Sequence, residues 1–119
     1  MSWSMDEVCT WYALGNVTVQ WCLMSESLDR SLHPKGGHGA GHATGGLNLS
    51  SHHNLIAHNS VRNPRFGGCG NLKDSIVDFR NNVVYNFVTS AYGGEGGTYN
   101  FVHNYYQRGP SSRSGHLLT

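Results

Sequence analysis

Four segments of the chain share one eight-residue pattern, and this repeat constrains the fold more than any other feature of the sequence. Each segment combines an alternating strand, a polar bend and a short apolar pair. The segments are residues 17–24, 49–56, 77–84 and 99–106, offset from one another by 32, 28 and 22 residues. Periods of roughly 20 to 50 residues are typical of solenoids, in which each coil buries its inner face on its neighbours. The repeat therefore predicts an all-β parallel β-helix of about four to five coils.

Alternation along these strands predicts which side chains form the core, because successive strand residues point to opposite faces. The first and third positions of each segment are expected to face inward; they are Val17 and Val19, Leu49 and Ser51, Val77 and Phe79, and Tyr99 and Phe101. The second and fourth positions are expected to face outward. In the third segment these are Asp78 and Arg80, for which we expect a structural ion pair.

The sixth position of the pattern is an asparagine in three of the four segments. These residues are Asn54, Asn82 and Asn104, and Cys22 takes the position in the first segment. Asparagine tolerates the left-handed backbone that a sharp bend needs. Stacked asparagines also hydrogen-bond to one another, each bond contributing on the order of 1 kcal/mol. We expect an asparagine ladder along the coils, with Cys22 capping one side.

Two other all-β folds fit the sequence less well. A β-sandwich would show hairpin turns every 8 to 12 residues or so, and the sequence contains no Asn-Gly or Asp-Gly pair. A leucine-rich repeat would need recurring leucines, which the four segments lack.

Length and charge restrict the organisation and the partners. The 119 residues suffice for one domain, with the coils expected at 1–110 and an irregular tail at 111–119. A net charge of +1 does not favour nucleic acid or membrane binding, and no apolar run reaches the ~20 residues of a membrane helix. No signal peptide is expected at the N-terminus. Both ends look cut, so we expect a monomeric fragment of a longer protein.

Residues 58–66 concentrate the unusual side chains of the chain, with Arg62 and Arg65 bracketing Pro64. Proline stiffens this segment and disfavours a helix before it. Two guanidinium groups on a stiff segment suit a ligand with carboxylates spaced along a chain, because each can grip a carboxylate with two hydrogen bonds. The alternative is a surface loop with two solvated arginines.

The stretches around these segments give weaker signals. Residues 9–15 are expected to be a short connection, and the glycine-rich residues 36–46 a flexible loop. His33, His38 and His42 lie on or beside that loop, where no helical spacing pre-aligns them, so a zinc or copper site is not favoured. The pair Asp6–Glu7 is not expected to be a glycosidase pair, because adjacent strand residues point to opposite sides. Three cysteines, including Cys69, match no zinc pattern.

Several motifs occur in the same order as in pectate lyases of the right-handed parallel β-helix type. They are Trp3-Ser4-Met5-Asp6-Glu7, His33-Pro34-Lys35-Gly36, His52-His53-Asn54-Leu55 and Arg62-Asn63-Pro64-Arg65-Phe66, followed by the segments 77–86 and 99–106. The chain resembles that family over roughly residues 1–110. The resemblance implies a right-handed coil, cleavage of polygalacturonate by β-elimination, a Ca²⁺ cofactor bridging carboxylates of substrate and enzyme, and a secreted or periplasmic location.

The resemblance also implies roles for individual residues. Arg62 would be the base that removes a proton from the substrate, with a purely electrostatic role as the competing account. Lys35 would bind the substrate carboxylate, and Arg65 would support the substrate or the loop. Asp6 would be a calcium ligand, with Glu7 as the fallback.

The chain departs from the family pattern at two positions. Thr10 stands where the family often carries a second acid, and Gly67 where it often carries a further arginine. The other calcium aspartates would lie before Met1. Two alternative functions therefore stay open, which are a non-catalytic β-helix that binds acidic polysaccharide and a hydrolase or esterase on the same fold.

Overall fold

In the computed structural model, residues 1–67, 73–93 and 96–113 are described, and they form strands and turns but no helix. Their eleven strands are β1 (Glu7–Gly15), β2 (Thr18–Gln20), β3 (Leu23–Ser25), β4 (Ala40–Leu47), β5 (Leu49–His52), β6 (Leu55–Ala57), β7 (Arg65–Phe66), β8 (Ile76–Arg80), β9 (Val83–Tyr85), β10 (Thr98–Val102) and β11 (Tyr105–Gln107). The described part of the protein is therefore all-β, as the repeat predicts.

The strands form three parallel sheets; the second and third contain one strand from each of the four repeats, and the first contains three strands. The first sheet has the order β1-β4-β7, the second β10-β8-β5-β2, and the third β11-β9-β6-β3. Every pairing between these strands is parallel. Parallel neighbours cannot be joined by tight hairpins, so the chain passes through all three sheets before it returns to the first.

The strand register follows the alignment of the four sequence segments without a shift. In the second sheet Thr18 pairs with Ser50, Ser50 with Asp78, and Asp78 with Asn100. In the third sheet the apolar pairs align in the same way, as with Met24, Ile56, Val84 and Tyr106. The offsets of 32, 28 and 22 residues therefore set the pairing.

The core lies between the three sheets and is filled by the inward positions of the repeats. Leu49, Val77 and Phe79 are almost fully buried, while the inward residues of the terminal repeats, such as Val19 and Phe101, are partly buried against them. The rings of Phe79 and Phe101 stack with centroids 5.6 Å apart. The expected ion pair is also present, with Arg80 Nε 3.0 Å from Asp78 Oδ2.

An asparagine ladder joins the repeats at the bend between the second and third sheets. Asn54 Nδ2 donates to Asn82 Oδ1, and Asn82 Nδ2 donates to Asn104 Oδ1, both at 3.1 Å. The amide N–H of Cys22 donates to Asn54 Oδ1 at 3.0 Å and closes the ladder at one end. Asn82 is only 1% exposed. The ladder and its Cys22 cap are therefore confirmed.

The left-handed residue of this bend is not the asparagine but the residue before it. Trp21, His53, Asn81 and His103 all have φ between 53° and 55°. This leaves the following asparagine free to turn its amide inward, where it also bonds main-chain carbonyls such as Ser51 O. The prediction that the sixth position itself adopts the left-handed conformation is wrong.

Two local predictions around the first sheet are also wrong. Residues 9–15 belong to β1, and the glycine-rich stretch 40–47 forms β4, which is buried over seven of its eight residues. Glycine suits β4 because its backbone is crowded by neighbours. A Cβ on Gly46, for example, would lie 2.2 Å from Leu14 O.

The C-terminal tail is only partly described. Residues 108–113 follow β11 without forming a further strand, and residues 114–119 lie outside the described residues, as does Cys69. Cys9 and Cys22 are free thiols. The described residues contain no helix long and apolar enough to span a bilayer.

Replacing Asn82 by Leu should strongly destabilise the protein. The substitution removes the side-chain amide of Asn82. The main-chain N–H of Asn54 then loses its acceptor and the Ser51 carbonyl loses a donor, and each buried loss costs about 1–3 kcal/mol. The matched control is Asn100→Ala, which removes an exposed bond to Asp78 Oδ1 and should cost far less. Urea unfolding of the two variants compares their free energies, and equal losses would contradict a stabilising ladder.

The buried His42 should make stability depend on pH. Its Nδ1 lies 3.1 Å from the Cys9 carbonyl, and burial lowers its pKa from 6.5 to about 4. The unfolded chain therefore binds a proton that the folded chain excludes, so stability is lost as pH falls from about 6.5 towards 4, by about 3 kcal/mol. Urea unfolding across this range should show a shallower pH slope in His42→Gln than in the control His52→Gln, and identical slopes would contradict this assignment.

Candidate functional site

The most concentrated cluster of charged and imidazole groups lies at the edge of the first sheet where its strands begin. Asp6 precedes β1, the connection 26–39 precedes β4, and Arg62 lies shortly before β7. Isolated parallel bridging of Ala40 with Val61 continues the sheet at this edge. Three connections that are far apart in sequence therefore bring their side chains to one place.

Arg62 binds the carboxylates of the adjacent residues Asp6 and Glu7. Its Nη1 donates to Asp6 Oδ1 at 3.2 Å and also to Glu7 Oε1. The arginine side chain is only 15% exposed and that of Glu7 12%, whereas that of Asp6 is 40% exposed. Asp6 lies on a bend before β1, so strand alternation does not separate it from Glu7. The expectation that these two carboxylates point to opposite sides is wrong.

The ion pairs stabilise the charged forms of the groups. Burial by itself would lower the pKa of Arg62, but its hydrogen bond with Tyr92 and the charges of Glu7 and Asp6 raise it above its ordinary value. Burial by itself would raise the pKa of Asp6, but its hydrogen bond with Glu7 and the positive groups around it hold that pKa below its ordinary value. The site therefore contains a guanidinium held by two acidic side chains.

Two histidines from the connection 26–39 complete the cluster. His38 Nε2 lies 3.4 Å from Asp6 Oδ1, and His33 Nε2 lies 3.6 Å from Asp6 Oδ2. The two imidazole rings stack with centroids 4.4 Å apart and planes 5° apart. Arg62 Nη2 lies 3.4 Å from His38 Nε2. The same nitrogen of His38 therefore lies beside both a carboxylate and a guanidinium.

Asp29 folds the connection so that its histidines reach the site. Its main-chain carbonyl accepts from the His38 amide at 3.0 Å, and its Oδ1 accepts from the Gly39 amide at 3.2 Å. A Cβ at Gly39 would lie 2.8 Å from the Asp29 backbone, so glycine allows this close approach. Within the loop, the Lys35 amide donates to His33 Nδ1 at 3.2 Å.

A buried asparagine supports the left-handed backbone of Arg62. Arg62 has φ of 58°, a value that recurs at other bends of this chain, as at His53 and His103. Its carbonyl accepts from the His42 amide at 2.7 Å. The next residue, Asn63, is 1% exposed and donates through Nδ2 to Thr89 O at 2.9 Å. The geometry of Arg62 is thus set by the core beneath it.

Tyr92 links the two arginines of the Arg-x-Pro-Arg segment. It hydrogen-bonds Arg62, and its ring centre lies 5.9 Å from Cζ of Arg65. The backbone of Tyr92 also bridges in parallel to Arg65, which starts β7. Arg65 is therefore the first residue of β7 in the first sheet, whereas Arg62 lies before that strand at the edge of the sheet.

The structure brings together three of the five residues singled out for the site from sequence. Arg62, Asp6 and Glu7 are in contact, and Lys35 is an exposed residue between His33 and His38. Sequence reasoning missed Tyr92 and the joint position of His33 and His38. The third histidine of that prediction, His42, is buried in β4 instead. No local sequence pattern marks the pair, because β4, which follows it, is not predicted as a strand.

The described residues do not by themselves make a calcium site. Calcium takes about six to eight oxygen ligands. The two carboxylates of the cluster are both bound to Arg62, and the remaining nearby ligand atoms are imidazole nitrogens. Calcium binding thus stays a prediction from the resemblance to pectate lyases.

The chain matches no protein-family model and no curated protein sequence. The geometry of the cluster is therefore the main structural evidence about its function.

Replacing Gly41 by Ala should destabilise the protein, because the added methyl group would crowd the Arg62 backbone and the Asn63 side chain. A Cβ there would lie 2.6 Å from Asn63 Oδ1 and 3.1 Å from Arg62 O, and such overpacking typically costs about 1–3 kcal/mol. The control Gly15→Ala, whose Cβ would meet only Leu47 O at 3.7 Å, should be tolerated. Thermal unfolding measures both, and an unchanged melting temperature in Gly41→Ala would contradict the tight packing under Arg62.

Proposed function

We propose that this chain is part of a right-handed parallel β-helix that cleaves an acidic polysaccharide such as polygalacturonate by β-elimination. Three parallel sheets, two with a strand from each of the four repeats and one with three strands, support the β-helix. The motif order shared with pectate lyases supports the reaction and the substrate class.

The position of Arg62 is the observation that carries the proposal. Its guanidinium lies at the same sheet edge as the connection that bears Lys35, and the core fixes its backbone in a left-handed conformation. A guanidinium held at this edge suits the carboxylate of a uronic acid, and Lys35, exposed on the connection between His33 and His38, would add a second cation.

The reaction needs a base, a cation and a leaving group. A base removes the proton next to the uronate carboxylate, and the negative charge spreads onto that carboxylate. The bond to the oxygen of the neighbouring sugar then breaks, which leaves a carbon–carbon double bond in one product, while that oxygen takes up a proton from water to become a hydroxyl group. A cation close to the carboxylate stabilises the charge that develops there. Arg62 and Lys35 are the cations that this chain offers for that step.

Arg62 is better placed to stabilise charge than to accept a proton. Glu7, Asp6 and Tyr92 raise its pKa, whereas a base must lose its proton at the working pH. We therefore place Arg62 in the electrostatic role. Its role as the base, which the resemblance implies, is the alternative. Arg65, stacked near Tyr92, would keep the segment in place.

Replacing Arg62 by Ala should reduce turnover of polygalacturonate by about a hundredfold or more, since a lost charge-stabilising donor typically costs that much. The assay is the ultraviolet absorbance of the unsaturated product, with and without a calcium chelator. The control Arg80→Ala removes an exposed arginine that also pairs with an aspartate, but on the second sheet, and should keep full activity.

Each other outcome leads to a different function. Binding of polygalacturonate by the wild-type chain without any product would favour a non-catalytic binding module. A saturated product would favour a hydrolase. Equal turnover in Arg62→Ala and wild type, with the fold intact, would contradict the role of Arg62.

A further inference from the structure

We propose that Asp6, His33 and His38 form a binding site for a divalent transition-metal ion of the zinc type. This site goes beyond the proposed lyase function, and its test does not depend on enzyme activity. One oxygen of Asp6 and one nitrogen of each histidine all lie within 4.8 Å of one another.

The distances match those between ligands of one metal ion. Bonds of about 2.0–2.1 Å to a tetrahedral Zn²⁺ place its ligand atoms about 3.3–3.4 Å apart. His38 Nε2 lies 3.4 Å from Asp6 Oδ1, and His33 Nε2 lies 3.6 Å from Asp6 Oδ2. These two distances go to different oxygens of Asp6, so the three ligand atoms, which lie within 4.8 Å of one another, have to draw together to share one ion.

The donor atoms select the class of metal. Imidazole nitrogens suit zinc, copper, nickel and iron, whereas calcium and magnesium prefer oxygen ligands. Three protein ligands leave a fourth position for water, as in open zinc sites. The side chain of Asp6 is 40% exposed, so solvent reaches that side of the cluster.

The charges around the cluster are compatible with a cation. Arg62 would repel a metal ion, but Glu7 binds the same guanidinium and offsets its charge. Arg62 also holds Oδ1 of Asp6 and thereby orients the carboxylate, as outer-shell partners of metal ligands do.

Metal binding requires one defined rearrangement. The ion must lie in the plane of each imidazole, so the parallel rings of His33 and His38 have to turn relative to each other. In the metal-free form His33 Nδ1 accepts the Lys35 amide, which places the proton of the neutral ring on Nε2. Coordination through Nε2 moves that proton to Nδ1, and the turning ring gives up the bond to Lys35.

The test is titration of tag-free protein with ZnCl₂ by isothermal calorimetry, and with CoCl₂ by visible absorption. We expect one ion per chain, with a cobalt spectrum typical of nitrogen and oxygen ligands. His33→Gln, His38→Gln and Asp6→Asn should each weaken binding by more than about tenfold, because each removes one ligand.

Further variants distinguish this site from metal binding elsewhere on the chain. The control pair His52→Gln and His53→Gln removes neighbouring histidines whose Nδ1 atoms lie 2.8 Å apart, and should bind the ion as the wild type does. Circular dichroism checks that each variant is folded.

The proposal is overturned if wild-type protein binds neither ion. It is also overturned if folded His33→Gln and His38→Gln bind as tightly as wild type, or if only the His52 and His53 variants lose binding. If His33→Gln and His38→Gln prove unfolded, the cobalt spectrum of wild type decides, since a spectrum without nitrogen ligands excludes the site.

Discussion

In-register stacking of parallel strands is the constraint on which the rest of the structure depends. Each repeat bonds to the next through its strands, and at the bend between the second and third sheets the buried side chains of Asn54, Asn82 and Asn104 bond as well. A side-chain amide can satisfy both neighbours only when the repeats are aligned residue for residue. The ladder thus penalises any slip in register, since a slip would leave buried amides without partners.

This alignment also explains why the charged cluster forms at one edge. Strands β1, β4 and β7 are neighbours in the first sheet, so the residues that precede them are neighbours too. Asp6 and Arg62 are 56 residues apart in the sequence, yet they meet at this edge together with His38. A long connection of variable length can carry functional side chains in this way without disturbing the core, because it enters and leaves at fixed positions in the sheets.

The sequence predicted the second and third sheets well because their pattern is periodic and apolar, and four copies confirm one another. The first sheet was not predicted. Its strand β4 is glycine-rich, and its glycines are needed for close backbone contact, as Gly41 and Gly46 show, rather than for flexibility. The left-handed residue was predicted one position too late. Asparagine tolerates that conformation, but at this bend its side chain bonds inward and the residue before it is the left-handed one.

The site was predictable in part for the same reason. Arg62, Asp6 and Glu7 stand in recognisable motifs, whereas the meeting of His33 with His38 depends on how Asp29 folds the connection, which has no local sequence pattern. The ion pairs of Arg62 also change its expected chemistry. A motif indicates which side chain is present, but its neighbours in space decide which protonation state it keeps.

The most direct test of the stacked parallel arrangement is nuclear Overhauser contacts between backbone protons of neighbouring strands in solution. We predict contacts along the series Ser50, Asp78 and Asn100, between residues 28 and then 22 apart, in the parallel pattern. Contacts of antiparallel type, or contacts mainly between segments joined by short hairpins, would contradict it.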